Sequence, residues 1–208
     1  GASLTGEECA RSTTQCGPDR ALRVPVCISP IAVAFNLPEI TELNLDAVTV
    51  AKIFRGEIAT WNDPAIAAQN PDATLPDLAV TPVNRSDDSG TTTNFTEYLA
   101  AAAPEAWTDK ASGVWPATLQ GENAKGTSGV VKTVSDTPGA VTYADDSAVS
   151  GKLGVALIKV GESYTKISAE AAAKAVDAGT PVEGRNANDL PIKLDRATTI
   201  EGAYPIVL

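Results

Sequence analysis

Short apolar runs alternate along the chain with longer segments whose apolar positions recur at helical spacing, and no internal repeat relates them. The run Ile31–Asn36 (IAVAFN) is apolar and β-branched and ends at Leu-Pro, which predicts a buried strand. From Leu45-Asp46 the apolar positions Val48, Val50, Ile53 and Phe54 predict a helix, with Asp46 as its cap, Lys52 and Arg55 near its end and Gly56 as its stop. Asp63-Pro64 is a second start signal, a capping residue followed by proline at the first helical position. Leu78–Asn84 (LAVTPVN) alternates like a strand, and Pro82 predicts an edge or terminal place for it.

Thr91–Ala103 follows as a helix with Phe95, Tyr98 and Leu99 on one stripe and Pro104 as its stop. Gly126–Val134 is predicted helical around Val130, Val131 and Val134, and Pro138-Gly139 turns the chain into a short strand at Ala140–Tyr143. Leu153–Val160 predicts another strand, Ser168–Ala178 an Ala-rich helix capped by Ser168, and Pro181–Asp189 a polar loop. The last residues, Tyr204–Leu208 (YPIVL), predict an apolar strand. Helices interleaved with short buried strands indicate an α/β fold.

Composition narrows the chemistry. The 208 residues are 43% hydrophobic and 20% charged, enough for one large core or two small ones. A net charge of −10 repels nucleic acid and anionic membranes, so any anion must be held by a local site against the global field. With no His, the chain cannot run Ser-His-Asp or Cys-His catalysis or ligate zinc through imidazole. It also has no Met, even at residue 1, and is expected to be a processed or excised piece. No run of about 18 apolar residues and no signal-peptide pattern is present. Cys9 and Cys16 share a polar stretch without a second metal-ligand pair; a local disulfide is expected, with free thiols as the alternative. Cys27, inside VPVCISPIAVAF, is expected to be a buried small hydrophobe.

One segment carries chemistry, Val83–Phe95 (VNRSDDSGTTTNF). A strand delivers Arg85 to its C-terminal end, a polar turn follows, and Ser89-Gly90-Thr91 opens a helix. Free N–H groups and the dipole at a helix start suit an oxyanion, Gly90 permits close backbone approach, and Arg85 adds charge-assisted donors. Asp87 could brace the guanidinium or form an Asx-turn. The competing reading is ordinary capping by Ser, Thr and Asp. Neither a nucleotide P-loop nor a nucleophile elbow fits, since GxxxxGK[ST] and GxSxG are both missing. Lys125-Gly126-Thr127-Ser128 opens another helix, either as caps or as a second, weaker anion contact. Trp61, Trp107 and Trp115 are expected in the core rather than as a sugar-stacking set, and Asp145, Asp146 and Glu162 as solvated carboxylates rather than a metal or acid/base group.

The phrases PIAVAFNLP, LNLDAVTVAKIFRGEIATWNDPAIAAQNP, RSDDSGTTTNFTEYL and TPGAVTYAD, in this order between about Pro30 and Asp145, resemble the phosphate-binding proteins of bacterial ABC-type phosphate importers. The resemblance implies a type II periplasmic-binding-protein-like lobe, with a central mixed sheet flanked by helices. It implies phosphate contacts from Arg85, Ser89, Gly90 and Thr91, with Asp87 pairing the arginine, and no cofactor, metal or catalytic residue. It further implies inorganic phosphate and the membrane permease of the importer as partners, no nucleic acid, and no insertion of this chain in the membrane. The location implied is extracytoplasmic, in the periplasm or at the cell surface, through a lipid-anchored lipoprotein.

Two departures from the family pattern stand out. Asp88 replaces the usual glycine of the anion loop and places a charge near the ligand. The first lobe's phosphate loops are absent, and Gly1-Ala2-Ser3-Leu4 lacks the aspartate that follows the serine in the family and there accepts the proton of hydrogen phosphate. The expected organisation is therefore a first-lobe remnant or N-terminal extension over 1–30 and a second lobe over 31–208. Hinge strands are expected at about 31–36 and 204–208, with a partner for Cys27 in a continuation past Leu208. Function is expected to be phosphate capture without chemical change, by a fragment carrying about half the site. The alternatives are a structural or interaction domain with little phosphate affinity, and a phosphatase-like enzyme for which the chain offers no activated nucleophile.

Overall fold

The computed structural model describes residues 10–12, 14, 27–182 and 190–208. Cys9 and Cys16, Gly1–Leu4 and most of the Pro181–Asp189 stretch lie outside the described residues. The architecture is a mixed sheet of seven strands in the order β2-β6-β1-β5-β3-β4, with β7 paired to β6. The strands are β1 (Ile31–Phe35), β2 (Glu42–Leu45), β3 (Thr81–Arg85), β4 (Glu122–Ala124), β5 (Ala140–Asp145), β6 (Gly154–Val160) and β7 (Ser163–Thr165). A separate two-stranded ladder joins β8 (Thr180–Pro181) to β9 (Ile192–Lys193). Among residues 27–182 and 190–208 the α-helices are α1 (Ala47–Phe54), α2 (Pro64–Ala67), α3 (Gly90–Ala102), α4 (Gly126–Asp136) and α5 (Ala169–Asp177).

β1 is buried along its whole length, and its alternation serves both faces of the sheet. Ile31, Val33 and Phe35 pack with residues of α1, α3 and α5 in the larger core, whereas Ala34 joins Val130, Val131 and Val134 of α4 in the smaller one. The predicted caps form: Asp46 accepts from the Thr49 N–H at 2.7 Å, Asp63 from Ala65 and Ser168 from Ala171. Gly139 turns the chain into β5 at φ +83°, and a Cβ there would stand 2.3 Å from the Ala79 carbonyl oxygen, so glycine is required. Trp61, Trp107 and Trp115 are core residues, and Trp61 Nε1 donates to the Gly139 carbonyl at 2.9 Å.

Several expectations need correction. Of the two places expected for Pro82 the edge one fails, because β3 lies between β5 and β4, and the terminal one holds, since Pro82 is the second residue of the strand. The Thr81 N–H faces β5, donating to Gly139; the ring nitrogen of Pro82 therefore faces the other side, where β4 begins only opposite Val83. Cys27 is exposed with a free thiol, since the buried part of its apolar run starts only at Ile31. Val48 points to solvent from α1. Tyr204–Leu208 is buried almost throughout but forms a single bridge, Pro30 to Val207, rather than a strand. Pro30 and Pro205 lack the N–H groups a longer ladder needs, and the contact rests on Ile31 N to Ile206 O (2.8 Å) and the reciprocal pair between Ser29 and Leu208. The short strands β2, β4 and β7 carry no apolar run of their own and escaped the sequence pattern.

Candidate functional site

The candidate residues converge where β3 ends and α3 begins. Arg85 closes β3 opposite Ala124 of β4, and its backbone N–H donates to the Tyr143 hydroxyl at 3.3 Å. Its guanidinium meets Asp87 side-on: Nε donates to Oδ1 at 2.8 Å and Nη2 to Oδ2 at 2.5 Å. Nη1 reaches the Thr127 hydroxyl at 3.4 Å. A guanidinium has five N–H donors, so one on Nη1 and one on Nη2 stay uncommitted to these partners. The arginine side chain is 11% exposed and that of Asp87 29%, so the pair is held at the surface with its charge partly shielded.

Asp87 also accepts the N–H of Gly126, the first residue of α4, at 3.0 Å. Both contacts hold its carboxyl well below the ordinary carboxylate range, the Arg85 bond most strongly. The same bond raises the already high pKa of Arg85. The start of α4, weighed above as a second anion contact, thus has the Asp87 carboxylate on its first N–H. The N–H groups at the start of α3 donate to no carboxylate among the described residues.

Ser89 caps α3, its Oγ accepting from Thr91 N at 3.2 Å and more weakly from Thr92 N at 3.5 Å. Its hydroxyl hydrogen remains available to donate, and the Gly90 N–H at the first helical position has no intrahelical acceptor. The turn is anchored by Ser89 N to the Gly113 carbonyl at 3.0 Å. Asp88 lies against this same segment: a Cβ on Gly113 would meet Asp88 Oδ1 at 2.0 Å. The charge at the departure from the family pattern is thereby packed on the glycine at 113.

Sequence reasoning missed the floor beneath these groups. Thr92 and Tyr143 are both buried and share a 2.8 Å hydrogen bond between hydroxyls. The Tyr143 ring stacks on Phe95 (centroids 4.4 Å, 14° between planes) and on Trp115 (5.5 Å, 21°). Burial pushes the Tyr143 phenol up to about 12. The signal was present in AVTYAD, a strand with one aromatic among small residues, but its partners are far away in sequence. Arg196 was missed as well; it is buried and bonds to Asn94 of α3. Asp145, weighed above with Asp146 and Glu162, caps the turn that follows β5 by accepting from Ser147 N at 3.0 Å.

Comparison with known proteins places this geometry in context. A family model described as a PBP superfamily domain matches residues 3–208. The phosphate-binding protein PstS 3 of Mycobacterium tuberculosis is 40% identical over 99% of this chain and 56% of its own length. The phosphate-binding protein PstS of Xylella fastidiosa is 35% identical over 88% of the chain and 50% of its own length. The chain spans about half the length of the curated relatives it matches. Among solved structures, a high-affinity periplasmic phosphate-binding protein, PfluDING, bound with phosphate, superposes with a TM-score of 0.73 at 19% identity, covering 99% of this chain and 61% of that one. A phosphate-binding protein from Stenotrophomonas maltophilia gives 0.68 at 19% identity, over 99% of this chain and 60% of that one. At such identity these structures share the fold: a central mixed sheet flanked by helices.

Proposed function

The chain belongs to the PBP superfamily, and from that premise we propose that it binds inorganic phosphate at the junction of β3 and α3. The ligand receives charge-assisted hydrogen bonds from Arg85, hydroxyl bonds from Ser89 and Thr91 and a backbone N–H bond from Gly90, the Thr91 N–H being held by the Ser89 cap. Asp87 orients the guanidinium. The reading is carried by one observation: Arg85 is fixed side-on by Asp87 with donors still free, beside a helix start whose N–H groups donate to no carboxylate among the described residues. Binding proceeds without chemical change, since every group at the site is a donor or a brace and none is an activated nucleophile.

For the wider role we propose extracytoplasmic capture of phosphate and its delivery to the permease of an ABC importer, from a lipid-anchored protein, as the family resemblance implies. The hinge lies at about 31–36 and 204–208, and the pairing of residues 29–31 with 206–208 supports this reading by bringing the two segments side by side where this lobe would join a second one. The lobe described here supplies one wall of the cleft. Hydrogen bonds at an open wall face water and are worth far less than in a closed site.

Calorimetric titration of the 208-residue chain with inorganic phosphate tests the proposal. The expected binding is weaker than roughly millimolar, under about 4 kcal/mol. The absence of saturable binding would leave the alternative, a structural or interaction domain of the same fold. Micromolar binding would overturn the view that the chain holds a single wall.

A further inference from the structure

The guanidinium of Arg196 is almost wholly buried, 7% exposed, far along the chain from the proposed phosphate groups. Its Nη1 donates to two main-chain carbonyls of the C-terminal segment, Pro205 at 2.9 Å and Val207 at 2.8 Å. Its Nη2 donates to the side-chain oxygen of Asn94 and to Glu97 Oε2 at 3.1 Å, both on α3. Asn94 in turn donates through Nδ2 to the carbonyl of Gly90 at 2.8 Å. A continuous line of hydrogen bonds therefore runs from the 205–207 segment through one guanidinium and one amide to the first residue of α3. The 205–207 segment is itself tied to residues 29–31.

We propose that Arg196 is a positioning residue for the phosphate site, acting through Asn94 to hold Gly90 in register with the paired segments 29–31 and 206–208. The inference rests on the phosphate reading above. A planar fork holds acceptors on two elements at once in fixed directions, whereas an ammonium offers three donors from a single nitrogen and an apolar chain offers none. Gly90 contributes through its backbone, so its affinity for an anion depends on where the helix start is held. Displacement of the carboxyl-terminal segment is thereby felt at the ligand without any contact between them.

The test uses amide-resolved NMR titration of the chain with inorganic phosphate, for wild type, Arg196→Met, Asn94→Ala and the double variant. Each single change is expected to weaken phosphate binding about tenfold, and the double change by no more than about tenfold, because both break one line. Hydrogen exchange of the Asn94 side-chain amide is expected to quicken at least tenfold in Arg196→Met. A control, Ala172→Gly in α5, matched in lost melting temperature, is expected to leave the affinity unchanged. If Arg196→Met fails to fold, Arg196→Lys replaces it, with a smaller loss expected because one ammonium keeps some of the bonds. Unchanged affinity in the single variants, or losses that multiply in the double variant, would overturn the inference alone. A wild type in which Gly90 and Thr91 ignore phosphate would sink the phosphate reading and the positioning role with it.

Discussion

Asp87 meets the guanidinium of Arg85 with both carboxylate oxygens, at 2.8 and 2.5 Å, from only two residues away along the chain. The acid therefore fixes the arginine's plane while its third contact, the Gly126 N–H, ties the loop to α4. A pair so placed does two separable things: it fixes the plane of a cation, and it ties the end of β3 to the start of α4.

The linkage gives a pH dependence. Asp87 titrates below its usual value of 3.8 in the folded chain. Its contribution to stability is thus complete above that value and fades as the pH falls from there through the lower folded value. Denaturant unfolding of wild type and Asp87→Asn is expected to show the variant less stable near neutral pH, with the gap closing below about pH 4. A gap that persisted unchanged in acid would contradict the pairing.

Tyr143 anchors the floor of the site. Tyr143→Phe keeps the ring between Phe95 and Trp115 but leaves the buried Thr92 hydroxyl and the Arg85 N–H without their partner. The expected loss is about 1–3 kcal/mol in unfolding free energy. Spectrophotometric titration in alkali should find this phenol un-ionised until well above pH 10, since burial holds it up to about 12. Its stabilising preference for the neutral form is lost as the pH rises beyond the unfolded value.

Asp88 opposes an anion by charge alone, because its carboxylate packs on Gly113. Asp88→Asn is expected to strengthen phosphate binding by about two- to fivefold at low salt, with the gain shrinking as ionic strength rises. Parallel titrations at two salt concentrations check this. A salt-independent gain would point to altered loop geometry instead.

Selectivity should be poor. Arg85, Ser89, Gly90 and Thr91 offer donors, and Asp87 has both oxygens engaged by Arg85. With the Asp88 carboxylate packed at Gly113 and no other carboxylate beside these donors among the described residues, sulfate is expected to bind within roughly threefold of phosphate. Competition between the two anions, read on the same amide signals, measures the ratio.

The parts of the fold written in local grammar were legible beforehand. Asp46, Asp63, Ser89 and Ser168 all cap the helices their positions announced, because capping is a matter of a few adjacent residues. The buried strands β1, β5 and β6 were legible from their apolar runs, and the cluster Arg85, Asp87, Ser89, Gly90 and Thr91 from one contiguous motif. What escaped was set by distant contacts. Whether Pro82 takes an edge or a terminal place depends on its neighbours: it stands near the start of β3, where only one side of the strand lacks a partner. Tyr143 and Arg196 bond to Thr92 and Asn94 of α3 from 51 and 102 residues away, respectively, through hydroxyl and guanidinium bonds that no periodicity records. Cys27 was misjudged because an apolar run need not be buried from its first residue.

The central claim is that phosphate sits between Arg85 and the start of α3. Amide-resolved NMR titration of the chain with inorganic phosphate, alongside Arg85→Ala, tests it most directly. The account predicts saturable shifts centred on Gly90 and Thr91 that are lost, with at least tenfold weaker binding, in Arg85→Ala while the fold is retained. Shifts that cluster elsewhere, or that survive unchanged in Arg85→Ala, would contradict it.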